Sequence, residues 1–116
     1  QKELELRIPD KYLQAMAGYN LNYVSDKDTI RQIVEYKDFF VILLREKREV
    51  PNNIIAYDYY GKEIWKINDI VQAKIPRGYD EIEKKLDSIL IAHYELGIIF
   101  EIDVYKRQII QKKYLR

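Results

Sequence analysis

Six consecutive apolar residues, Phe39-Phe40-Val41-Ile42-Leu43-Leu44, constrain this chain more than any other feature. A strand turns successive side chains to opposite faces, so an unbroken apolar run of this kind is stable only if both faces are covered. The polar pair Lys37-Asp38 sets its start and the charged run Arg45 to Glu49 its end. The expectation is a central strand with core on either side, in which Phe40, Ile42 and Leu44 or their alternating partners are almost fully buried.

The rest of the chain reads around that strand. Leu4, Leu6 and Ile8 alternate with Glu3, Glu5 and Arg7, as in a half-buried first strand over Lys2 to Ile8. Lys11 to Ala17 is rich in helix formers and is stopped by Gly18. Leu21 to Val24 and Thr29 to Tyr36 read as strands about the turn Ser25-Asp26-Lys27-Asp28. Pro51-Asn52-Asn53 continues the charged run as an exposed connection, since Pro cannot donate to a ladder and Asn favours turns.

Ile54 to Tyr57 and Glu63 to Ile67 then make the clearest hairpin. Asp58 starts its turn and Gly61 stands where positive φ is needed. After a weak stretch, Asn68 to Gly78, the spacing of Tyr79, Ile82 and Leu86 suggests a short amphipathic helix, with a long loop as the alternative. Ile89 to Glu95, Ile98 to Val104 and Ile109 to Leu115 complete the chain as strands, the first turn between them marked by Leu96-Gly97. About eight strands and at most two short helices result. The expected fold is mainly β, one antiparallel domain over residues 1–116, arranged as a meander that is partial-propeller-like or sandwich-like.

Composition narrows the function classes. A hydrophobic fraction of 47% beside 34% charged residues suits a globular core, and a net charge of +1 gives no field to draw in polyanions or an anionic membrane. Cysteine is absent, which excludes disulfides and thiolate chemistry and fits a cytoplasmic location. The longest apolar runs, Phe39 to Leu44 and Ile89 to Ala92, are too short to span a bilayer.

Catalytic motifs are missing. Hydroxyls are confined to Ser25, Ser88 and Thr29 apart from the tyrosines, and His93 is the only imidazole. Within the apolar strand segment Ile91-Ala92-His93-Tyr94 a hydrogen-bonded structural histidine is the simpler role. One His without Cys argues against a protein-only zinc site, and Asp26-Lys27-Asp28 lacks the later ligands of a calcium loop. No pair among the four glycines is spaced to cradle a phosphate.

Tyrosine, with 11 residues, is the unusual feature. Most suit half-buried strands, and Trp65 suits a core, but Tyr59 and Tyr60 fall at a hairpin tip, where rings gain little from the fold. Lys106 and Arg107 occupy the tip of the last hairpin. Tyr57 to Trp65 and Ile102 to Ile110 also share one pattern, apolar, Asp, turn, basic, polar and two apolar, with Asp58 and Asp103 lying 45 residues apart.

Ile55-Ala56-Tyr57-Asp58 followed by Gly61-Lys62-Glu63-Ile64-Trp65 resembles the hairpin of a blade in the quinoprotein-type propellers. More of the chain is similar to a group of small, uncharacterised bacterial β-meander proteins. Their pattern is met by Val41 to Leu44, then Asn53, Ala56, Asp58, Gly61 and Trp65, then Gly97, Ile102, Asp103, Lys106 and Arg107. The Lys106-Arg107 pair replaces the usual Gly of the second turn. The resemblance implies a fold and no established activity, although some small proteins of such architecture serve as immunity or antitoxin-like partners. The expectation is therefore a non-enzymatic module without cofactor or metal, which binds another protein through Tyr59, Tyr60, Lys106 and Arg107, possessing an immunity or inhibitor role. Nucleic acid, held by Tyr and the C-terminal basic residues, is the alternative partner, and no membrane role is expected.

Overall fold

The computed structural model describes residues 30–45, 52–72, 78–94 and 97–115. The readings for Lys2 to Ile8, Lys11 to Ala17, Leu21 to Val24 and Ser25 to Asp28 lie outside them. Two antiparallel sheets of four strands each form the described part, and in each the strand order follows the chain. The first holds β1 (Ile30–Glu35), β2 (Phe39–Leu44), β3 (Ile54–Asp58) and β4 (Glu63–Lys66). The second holds β5 (Tyr79–Leu86), β6 (Ile89–Tyr94), β7 (Ile98–Asp103) and β8 (Gln108–Tyr114). The only helical element among the described residues is a 3-10 turn at Ile67–Asp69. This is the antiparallel all-β meander expected from the sequence.

The apolar run is β2, second in its sheet, and all six of its residues are buried. Its alternation divides the core in two. Phe39, Val41 and Leu43 join Trp65, Ile82, Leu90, Ala92, Phe100 and Ile102 in the layer between the sheets. Phe40, Ile42 and Leu44 pack with Ile30, Ile55 and Tyr57 on the opposite face. Trp65, expected in the core, is buried in the inter-sheet layer.

The segment Tyr79 to Leu86 is a strand and not a helix. Tyr79 and Ile82 both point inward, three residues apart, because register shifts fall between Tyr79 and Glu81 and again between Lys84 and Leu86. A bulge adds one residue to a strand and re-aims the side chains after it, so it can imitate helical spacing. Leu86, placed inward by the helical pattern, is 62% exposed beyond the second shift.

Asn53 corrects a second expectation: it is buried, not part of an exposed connection. Its side-chain NH2 donates to the carbonyls of Leu44 (2.9 Å) and Tyr79 (2.8 Å), and its Oδ1 accepts from the Tyr79 N–H (3.1 Å). Gln32 repeats the device, donating to the Ile82 carbonyl (3.1 Å) and accepting from the Ile82 N–H (2.8 Å). Since β5 is an edge strand, its outward N–H and C=O groups need partners, and two side-chain amides of the first sheet supply them.

Candidate binding surface

In a meander, alternate turns fall at the same end. The β1–β2, β3–β4, β5–β6 and β7–β8 turns meet there, linked by tyrosine side chains and a backbone hydrogen bond. Tyr59 donates to the Tyr36 carbonyl (2.8 Å), and Tyr36 donates to the Ile89 carbonyl (3.0 Å), linking three turns. Tyr105 brings in the fourth, its ring 5.0 Å from Phe39 and edge-on to Tyr36 at 6.5 Å. The Val104 N–H also donates to the Ser88 carbonyl (2.9 Å). Burial pushes the Tyr36 phenol up, with Tyr105 adding to it, and burial likewise raises Tyr59. Both therefore stay neutral donors at physiological pH.

Each tip is shaped by one aspartate. The Asp58 carboxylate accepts from the N–H groups of Tyr60 and Lys62 (2.9 Å each), and Asp103 accepts from those of Tyr105 (3.0 Å) and Lys106 (2.9 Å). The internal similarity in the sequence thus marks the same turn of each sheet. Gly61 has φ 95°, as its place in the turn requires, and Arg107 takes a left-handed φ of 57° near the end of the second turn. A side chain in that region costs about 1–2 kcal/mol, more when β-branched. Gly61→Val is therefore expected to lose about 2 kcal/mol in urea unfolding. Arg107→Gly is expected to gain up to about 1 kcal/mol, since relief of strain is partly offset by greater unfolded-state freedom.

The four sequence-predicted residues fall at this end but differ in setting. Tyr60 is 87% exposed, and Lys106 and Arg107 are exposed as well. Tyr59 is half-buried, with its ring 5.5 Å from that of Phe40 and its hydroxyl bonded to Tyr36, so it carries structure as well as surface. Tyr105, not singled out from the sequence, adds a ring that is 41% exposed. Among the described residues seven large apolar or aromatic side chains are exposed, and five of them, Tyr60, Leu86, Tyr105, Ile109 and Ile110, lie in these turns or just beside them. Beyond the tip, β8 is exposed throughout its length and carries Lys112 and Lys113 toward its far end.

The outer face of the second sheet carries charged groups among half-buried isoleucines. Glu101 is buried there, paired with Lys85 (3.2 Å) and Lys113 (3.6 Å). A hydrogen bond from Gln111, assisted by Lys85 and Lys113, holds its carboxyl below the usual range against the opposing effect of burial. His93 is hydrogen-bonded, as expected, through Nε2 to a Glu83 carboxylate oxygen at 2.7 Å. Glu81 completes a group whose ligand atoms all lie within 4.8 Å of one another. A count of His and Cys points away from such a group, because the carboxylates reach His93 only through the pairing of β5 with β6. No helix among the described residues is long and apolar enough to cross a membrane.

Fold and surface together define an all-β protein of two four-stranded antiparallel meanders with its turns gathered at one end. The chain belongs to the family described as Domain of unknown function (DUF7957), whose model matches residues 18–114. No curated protein and no solved structure matches the chain.

Proposed function

We propose that this domain is a non-enzymatic protein-binding module whose contact surface is the end where the four hairpin turns meet. The observation that carries this reading is the gathering of exposed Tyr60, Leu86, Tyr105, Ile109 and Ile110 at that end beside Lys106 and Arg107. Apolar and aromatic side chains clustered on a surface are characteristic of interaction sites, and Tyr and Arg dominate the residues that matter in interfaces. The tyrosine-linked turns are preorganised, which lowers the entropy lost on binding. Arg107 fits the same reading, because backbone strain tends to persist where function needs it. An inhibitory or immunity role, in which this end covers the working surface of a partner, is the specific form proposed.

Affinity capture from native lysate with the wild-type chain and with Tyr60→Ser tests this. Tyr60→Ser is expected to leave the melting temperature within about a degree or two, as exposed substitutions do. It is expected to weaken the stoichiometric partner by at least about fivefold, roughly 1 kcal/mol. Tyr59→Ser serves as the contrast and is expected to lose about 1–2 kcal/mol of stability through its hydrogen bond and ring packing. Capture of no stoichiometric protein would overturn the reading. Salt-sensitive binding to a single-stranded oligonucleotide would replace it with nucleic-acid recognition through the tyrosines and the basic β8.

A further inference from the structure

We infer that Glu81, Glu83 and His93, on the outer face of the second sheet, form a binding site for a first-row transition-metal dication. Their placement is specific. Glu81 lies across from His93 in the β5–β6 register, and Glu83 follows two residues along the same strand. Without the register shift between Tyr79 and Glu81, Glu81 would share the inward face of Tyr79; the shift turns it outward beside Glu83 while Ile82 enters the core.

Charge distinguishes this group from its neighbour. Glu101, on the same face, is answered by two lysines. Glu83 is answered only by the imidazole, and Glu81 has no hydrogen-bond or ion-pair partner among the described residues. Two carboxylates and one imidazole therefore bring three ligand groups together, and a metal ion takes the place of the proton that His93 Nε2 and Glu83 now share. Mixed nitrogen and oxygen donors favour zinc and its first-row neighbours over calcium or magnesium, which prefer oxygen alone. Ligand atoms on a four-coordinate zinc stand about 3.3 Å apart, so the present group closes by small rotations of two exposed glutamates. Water fills the remaining coordination, as in zinc sites with three protein ligands.

The chain has one histidine and no cysteine, so imidazole signals report on this site alone. Co2+ is titrated into the full chain at neutral pH, with visible absorption and the His93 ring resonances followed by NMR, and Zn2+ is then added in competition. The expected result is one equivalent bound with Kd below about 0.1 mM. It should be accompanied by paramagnetic shift or broadening of His93, release of the Co2+ spectrum by Zn2+, and a rise in melting temperature on metal addition. Glu81→Gln, which removes no bond from the metal-free fold, is expected to weaken binding at least about tenfold and to abolish the thermal shift. His93→Gln is expected to do the same. Failure to bind one equivalent, or binding that both variants leave unchanged, would overturn the site.

Discussion

Leu43→Ala is expected to destabilise the protein by about 2–5 kcal/mol, the range found when a fully enclosed leucine is truncated. Leu43 is 1% exposed and faces the layer between the sheets, with Gln32 and Ile54 as its cross-strand neighbours. Truncation removes the transfer free energy of the lost carbons and leaves a cavity that two hydrogen-bonded sheets cannot easily collapse. Urea unfolding at constant m-value is the measurement, since a shift in midpoint alone then reports stability. Ile42→Ala makes the parallel test on the opposite face, where Ile42 is fully buried with Phe40 and Ile55. A loss below about 1 kcal/mol at Leu43 would place the main core elsewhere.

That strand was legible because a fully apolar run admits few placements. The hairpin at Asp58 to Gly61 was legible for a related reason: its chemistry is local, an acceptor at the start and a residue tolerant of positive φ at the end. β5 was not legible. Its bulges break the two-residue period, so Tyr79, Ile82 and Leu86 imitate a helix until the pairing with β6 is known. Sequence spacing alone does not reveal an added residue in a strand.

The candidate sites divide in the same way. Tyr59 and Tyr60 could be placed at a tip from their turn, yet their different burial depends on Tyr36 and Phe40, more than 18 positions away in sequence. Tyr105 joins that surface only because both sheets present the same end. His93 meets Glu81 and Glu83 through register, which no local pattern records. Asn53 misled for a clear physical reason: the amide that suits a turn also suits an edge strand in need of both a donor and an acceptor, and nothing in its immediate neighbours separates the two uses.

Asn53→Ala is expected to lose about 3–5 kcal/mol although it removes few apolar atoms. The amide satisfies one N–H and one carbonyl of Tyr79 in the second sheet and the carbonyl of Leu44 in the first. Each buried backbone group left without a partner costs about 1–3 kcal/mol, moderated where water can enter. Asn53→Asp separates this bridge from a simple loss of packing. Its carboxylate could still accept from the Tyr79 N–H, but its other oxygen would face the two carbonyls that now receive hydrogen bonds. Repulsion there and burial both raise the folded-state pKa of the new aspartate. A group raised in this way binds its proton more tightly in the folded state, so the variant is most stable below the unfolded pKa of about 3.9 and loses stability as pH rises through the folded value. The loss relative to wild type should therefore grow between acidic and neutral pH for Asn53→Asp and stay level for Asn53→Ala. Parallel urea curves for wild type and Asn53→Asp across that interval would mean that the Asn53 amide does not bridge the two sheets through those carbonyls.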